Sequence, residues 1–422
     1  MIRFYNGKIL TFDGAMQVQE GLEVWTDGSR ISYVGPAQEA MPEFERQIDL
    51  HGDLLMPSFK NAHTHTAMTF LRSLADDLPL QEWLTKQVFP REAKLTPEMI
   101  YEFTRLGILE YLSSGITASF DMYFKNDAYT KANIDSGFRT VICGSMNDFD
   151  PDPTYLEREY EKFNGFHELI SYQLGIHAEY TTSLERIRYV SELTHKYKAP
   201  FYCHNSETRS EVDGCLERYG KTPTELFDDQ GLFDYGGGGY HCVYFSDRDM
   251  EIFRDRGCWI VTNPSSNIKL ASGIAPISRY MEEGLNLAIG TDGAASNNAL
   301  DMFREMYLTA TLQKVLNMDA SSCDPNKVLE MACVGGARAM GLNDCDDLAE
   351  GKIADLIVID LQRPNMQPIH NIPKNLVYAG SKENVKMTMV NGVIRYEDHR
   401  FNIGEEPGTI YEKAANLVKE VL

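Results

Sequence analysis

Apolar and polar positions alternate along the chain in three regimes. At the amino end, "IRFYNGKILTF", "GLEVWTDGSRISYVGP" and "RQIDLHGDLLMP" are short β-rich runs. Asn-Gly, Asp-Gly and Gly-Pro turn signals interrupt them. Near the carboxyl end, "GKIADLIVIDL" and "VKMTMVNGVIRYE" repeat the pattern, the second around an Asn-Gly hairpin signal. Between these ends lie apolar runs of strand length: "NAHTHT", "GITASFDM", "FRTVICGSM", "YQLGIHAEY", "PFYCHNSE", "GGYHCVYF", "CWIVTNPSS" and "LNLAIGTDG". Helical patterns such as "TPEMIYEFTRLGILEYLSS" and "TSLERIRYVSELTHKYK" separate them. In the first of these, Thr96 is placed as N-cap, Pro97 as the first helical residue and Glu98 in the first turn. Strand–helix units in this number predict an α/β fold, a (β/α)8 TIM-like barrel over residues 58–350. The β-rich ends, 1–57 and 351–422, predict one small β-sandwich domain built from both. A doubly wound open sheet would carry G-x-G-x-x-G after a strand, and the chain has none.

Composition narrows the partners. The chain has 422 residues, 43% hydrophobic and 24% charged, an ordinary globular balance. A formal net charge of −22 repels phosphate backbones and anionic lipid, which argues against nucleic acid and membrane as partners. The eight cysteines form no C-x-x-C, and several sit in apolar runs. They read as reduced thiols rather than a disulfide framework or a cysteine zinc site. No apolar run approaches the ~18 residues of a membrane span, and the first residues lack a leader's apolar region. A cytoplasmic location is expected.

In such a barrel the chemistry gathers at the carboxyl ends of the strands. The polar residues there are His63 and His65, His177, His204 with Glu207, His241, and Asp292. The remaining histidines (His51, His167, His195, His370 and His399) fall in the flanking regions or in helical or polar segments and read as surface or structural. His63 and His65, two apart in a strand, point to one face. Alone, that pair fits two ordinary histidines as well as a metal site. Asp292, where an apolar strand runs into "GTDGAASNN", equally suits a helix N-cap. Three histidines and one aspartate together suit Zn2+ or Fe2+ rather than a hard, all-oxygen cation site.

These residues lie in "LLMPSFKNAHTHTAMTFLRSLADDLPL", "GIHAEYTTS", "CHNSET", "HCVYFSDRD", "TNPSSNIKLASGIAPI" and "GTDGAASNNALDMFREM". In that order the motifs resemble the amidohydrolase superfamily, and within it the 5′-methylthioadenosine/S-adenosylhomocysteine deaminases. The likeness runs from about residue 1 to 400 and takes in "EGKIADLIVID". It implies a metal-dependent hydrolase that deaminates adenosine-type nucleosides at C6, releasing ammonia and the inosine analogue. His63, His65, His204 and Asp292 would ligate one divalent metal, Zn2+ by expectation with Fe2+ the alternative. The end of the fourth strand, "GIHAEY", carries no bridging lysine for a second ion. Asp292, with His241, would take the proton of the attacking water, and Glu207 would protonate the ring. Trp83 would pack on base or sugar, Glu92 would accept from both ribose hydroxyls, and His177 and Ser296 would meet the base. The resemblance also implies a homo-oligomer.

The chain departs from the family where some relatives carry arginines for an amino-acid carboxylate. Cys143 stands at the first such position, and Asp148, Asp150 and Asp152 follow, with Arg158 on a helical surface. Glu179 sits beside His177. An acidic mouth of this kind predicts a nucleoside with an uncharged 5′ group: methylthio, deoxy or hydroxyl. A remodelled loop with unchanged specificity is the alternative. Two further readings stay open: a guanine, cytosine, pterin or triazine deaminase on the same scaffold, and a metal-free binding or scaffold protein. Trp83 and Glu92 favour a ribosyl substrate over the former, and the complete ligand set argues against the latter.

Overall fold

The computed structural model describes residues 1–12, 16–74 and 76–422; Ala75, inside the first motif stretch, lies outside it. Eight parallel strands form the expected barrel: β1 (Phe59–Thr64), β2 (Ile116–Met122), β3 (Arg139–Cys143), β4 (Ile170–Gly175), β5 (Phe201–Asn205), β6 (Gly237–His241), β7 (Trp259–Thr262) and β8 (Asn286–Ile289). They pair in sequence order, and helices cross over outside them. Hydrogen bonds from the residues just after β8 to β1 close the gap between them at the carboxyl end. The Thr291 amide donates to Asn61 Oδ1 at 2.9 Å, and the Asp292 amide donates to the His63 carbonyl at 3.0 Å. Phe120, Val141, Cys143, Tyr202, Tyr240 and Val261 help fill the barrel interior.

The helix Pro97–Ser113 begins where its capping signals place it, with Thr96 Oγ1 accepting from the Met99 amide at 3.2 Å. Ahead of it, residues 80–92 form one helical run with a widened π turn at Leu84–Val88. Pro90 accounts for the widening, because it offers no amide and crowds the carbonyl four residues back. That run carries both Trp83 and Glu92.

The chain ends share sheets. In a seven-stranded sheet Leu54–Pro57 pairs with Lys8–Thr11 on one side and antiparallel with Leu356–Ile359 on the other. A four-stranded sheet of amino-terminal strands faces it over Phe4, Ile9, Val24, Leu55, Leu356 and Met389. The Asn-Gly signal makes the hairpin between Val385–Val390 and Val393–Glu397, with Asn391 and Gly392 at φ 52° and 77°. A Cβ on Gly392 would lie 1.9 Å from the Gly28 carbonyl oxygen, so only glycine fits there. Pro407–Val421, within the carboxyl end expected to be β-rich, is a helix, and it packs on Pro97–Ser113. A buried ion pair, Arg139 Nε to Asp355 Oδ2 at 3.0 Å, ties the foot of β3 to these sheets. Among the described residues no helix is long and apolar enough to cross a membrane.

Candidate active site

His63 is the penultimate residue of β1 and His65 lies one residue past its end. His204 is in β5, His241 closes β6, and Asp292 follows β8. The barrel brings them together. The donor atoms of His63, His65 and Asp292 lie within 4.8 Å of one another, as do those of His63, His204 and His241. Asp292 Oδ1 is 3.7 Å from His63 Nε2 and 3.3 Å from His65 Nε2.

Three of the imidazoles are oriented by their far nitrogens. His65 Nδ1 donates to the Met122 carbonyl at 2.6 Å, and His204 Nδ1 donates to the His177 carbonyl at 2.7 Å. His241 Nδ1 donates to Asn267 Oδ1 at 2.7 Å. Each bond places the proton on Nδ1 and turns a bare Nε2 lone pair inward, as metal-ligating histidines require. His63 is fully buried and stacks on Tyr240 at 3.8 Å between ring centroids. Neither of its ring nitrogens has a hydrogen-bond partner among the described residues. A buried, orphaned imidazole beside a carboxylate and two further bare nitrogens is a donor set for a divalent metal, and the residues present fit one.

Asp292 is held from its other side. Its Oδ2 accepts from Ser266 Oγ at 2.5 Å and Ser296 Oγ at 2.8 Å, and its Oδ1 accepts from the Gly293 amide at 2.7 Å. The backbone of Asp292 is left-handed, φ 59°, as is that of His241, φ 71°. Non-glycine residues in that region store strain, and such residues cluster at functional sites.

Glu207 lies above this centre, its Oε2 3.9 Å from His241 Nε2, while its Oε1 accepts from Ser272 Oγ at 3.2 Å. Burial raises its carboxyl above the usual range. Glu211, which the sequence did not mark out, holds it in place. Its carboxylate accepts the amides of Ser206 at 3.0 Å and Glu207 at 2.8 Å, and burial lifts it to about 7.

A cavity of about 590 Å3 opens from these groups and is lined by Trp83, Glu92, His177, Glu207, His241 and Asp292 among others. It is large enough for a nucleoside. Trp83 is buried with its indole N–H unpartnered. Glu92 is half-buried; burial pushes its carboxyl up to about 7, and Tyr123 donates its hydroxyl to Oε1 at 2.8 Å. Burial lowers His177 to about 4, so it is neutral and turns one nitrogen to the Thr181 hydroxyl at 3.0 Å. A larger cleft of about 1040 Å3, lined by Lys8, Lys327 and Arg338 among others, contains none of these groups.

Several expected residues sit elsewhere. Ser296 does not line the cavity; its hydroxyl is spent on Asp292. Glu179 is buried and turned away, paired with Arg218 at 2.5 Å. Cys143 points into the barrel core. Asp148 accepts from the Ser183 amide and hydroxyl, and Asp152 from Thr154 and Arg158. Of the acidic loop only Asp150 reaches the cavity, beside Ser145, Asn147 and Phe149. The mouth is therefore far less acidic than expected. Local sequence could not show this, because each acid's partner lies on another element or across a loop turn. The one lysine or arginine in the lining, among the described residues, is Lys125, whose ammonium donates to the Leu95 carbonyl.

A barrel with such a strand-end constellation defines a metal-dependent hydrolase class, and the comparisons agree. The amidohydrolase family profile matches residues 54–395, and the chain belongs to that family. Among its relatives is a 5-methylthioadenosine/S-adenosylhomocysteine deaminase of Syntrophobacter fumaroxidans, 38% identical over 94% of this chain and 92% of that one. Another is a 5′-deoxyadenosine deaminase of Methanosarcina acetivorans, 37% identical over 99% of this chain and 97% of that one. The solved structure of a zinc-bound adenosine deaminase from Xanthomonas campestris superposes with a TM-score of 0.94 at 31% identity, covering 100% of this chain and 98% of that one.

Proposed function

We propose that this protein is a zinc-dependent hydrolytic deaminase of adenosine-type nucleosides whose 5′ group is uncharged. The observation that carries the reading is the position of Glu207. A carboxyl that burial raises above its usual range stands beside His241, among the residues that line a nucleoside-sized cavity next to the clustered histidines and Asp292.

A divalent ion held by His63, His65, His204 and Asp292 would supply the Lewis acidity that makes water nucleophilic near neutral pH. The protein does the rest. His241 is set with its Nε2 lone pair inward, and Asp292 faces the same volume, so both can accept the proton of the attacking water. Burial favours the protonated form of Glu207, whose proton goes to N1 of the adenine as charge builds there. The proton taken from the water then passes to the amino group as ammonia leaves, and the C6 hydroxyl proton returns to Glu207. Trp83 packs against base or sugar, and Glu92 Oε2 accepts from a ribose hydroxyl. Ser296 acts through Asp292 rather than on the base.

The restriction on the 5′ group rests on the loop after β3. Its only contribution of charge to the cavity is Asp150, which burial raises above its usual range. An amino-acid carboxylate brought there would meet that group and no arginine. Eight free, buried cysteines fit a reducing compartment, and we assign the protein to the cytoplasm. The homo-oligomer expected from the family belongs to the same proposal. The test is ammonia release from purified, metal-loaded protein supplied with 5′-methylthioadenosine, 5′-deoxyadenosine, adenosine and S-adenosylhomocysteine. Turnover of the first three above the fourth is expected. A higher kcat/KM on S-adenosylhomocysteine than on methylthioadenosine overturns the 5′ restriction, and turnover of none overturns the activity.

A further inference from the structure

Phe149 is 78% exposed, and it lines the wall of the cavity. Its backbone is not free to fold the ring away. Arg186 donates to the carbonyls on either side of it, Asn147 O at 2.6 Å and Asp150 O at 2.7 Å, and also pairs with Asp148. The Phe149 amide donates to Asn147 Oδ1 at 2.9 Å, and the Asp148 amide donates to the Thr181 carbonyl at 2.9 Å. Facing it is Phe89, with ring centroids 6.3 Å apart. Phe89 stands three residues before Glu92 in one helical turn, so both side chains occupy one face.

We infer that Phe149 and Phe89 form the subsite for the 5′ substituent and select an apolar thioether or alkyl group over a hydroxyl. The inference rests on the deaminase reading above and narrows its substrate class. In this reading the base lies over Glu207 and a ribose hydroxyl on Glu92 Oε2, and the 5′ group is assigned to the wall of the same cavity that Phe89 and Phe149 share. A methylthio group packed against the two rings covers apolar surface, and its sulfur makes the contact that thioethers favour with aromatic edges. A 5′ hydroxyl gains nothing from two phenyl rings and stays hydrated.

The test uses the full-length, metal-loaded protein and the ratio of kcat/KM for 5′-methylthioadenosine to that for adenosine. The unmodified protein should favour the thioether. Phe149→Ala should lower the ratio about tenfold, the worth of covering a methylthio group. Phe149→Leu, which keeps an apolar surface, should hold the ratio within about threefold, or about 0.7 kcal/mol. Equal loss on both substrates in Phe149→Ala overturns the subsite, as does a ratio near one in the unmodified protein. Failure of the unmodified protein to deaminate either nucleoside is a different result, and it overturns the activity itself.

Discussion

Tyr123 donates its hydroxyl to Glu92 Oε1 at 2.8 Å, and so takes one of the two oxygens with which Glu92 was expected to grip the ribose. The carboxylate is thereby turned and held, with Oε2 left for the substrate. Tyr123→Phe should raise KM about tenfold and leave kcat nearly as it was, because the lost bond positions a binding group. An equal fall in kcat would place Tyr123 in the chemical step instead.

The same carboxyl makes binding depend on pH. Burial holds Glu92 near 7 in the free protein, well above the usual carboxylate range. Ribose hydroxyls donate to the ionised form, so KM should fall as pH rises through about 7. Stability runs the other way: the contribution of the neutral carboxyl is full below its unfolded value and is lost as pH rises through about 7. Glu92→Gln should flatten both profiles. KM measured from pH 5.5 to 8.5, with thermal unfolding over that range, checks the two together.

Asn267 Oδ1 accepts the Nδ1 proton of His241 at 2.7 Å, a much shorter contact than the 3.5 Å from Asn263 Nδ2 to the same nitrogen, and so does most to fix which nitrogen faces the centre. Asn267→Leu should cut kcat by about 10- to 100-fold, the usual cost of losing such a partner. Bound metal, measured by elemental analysis, should stay stoichiometric. Loss of metal together with activity would mean that Asn267 supports the ligand set as a whole.

Glu207→Gln keeps the shape and the Ser272 contact but removes the transferable proton. Turnover should fall by about 10²- to 10⁴-fold with metal content intact. Near-normal turnover in the metal-loaded variant would remove Glu207 from the proton path.

His63 gives a stability test of the metal centre. Its buried nitrogens have no hydrogen-bond partner among the described residues, so in chelator-treated protein the imidazole costs more than an apolar ring would. His63→Phe can still stack on Tyr240. It should abolish metal binding and activity, yet melt no lower than the chelated parent protein. A melting point several degrees below that parent would show that the imidazole makes favourable contacts of its own.

Much of the architecture was legible in the residue pattern. A parallel barrel needs apolar strands at regular intervals with helices between, and both periodicities are local properties of the chain. Thr96 and Pro97 announced a helix start, and Asn391-Gly392 announced a hairpin, because caps and turns are set by a residue's own backbone preferences. The ordered strand ends then put His63, His65, His204, His241 and Asp292 on one rim without any knowledge of contacts. Trp83 and Glu92 had no such signal and came only through the family resemblance.

What the sequence determined by itself was therefore the barrel, its interleaved ends and which polar residues stand at its mouth. The tertiary structure decided where each of those side chains points and what it touches. Glu179 left the mouth for Arg218, Cys143 turned into the core, and Ser296 turned to Asp292. Asn267, Glu211 and Tyr123 gained roles that no motif announced. The reason is physical: a strand's period is repeated every two residues, whereas a hydrogen-bond partner is chosen by elements that meet only after the barrel closes.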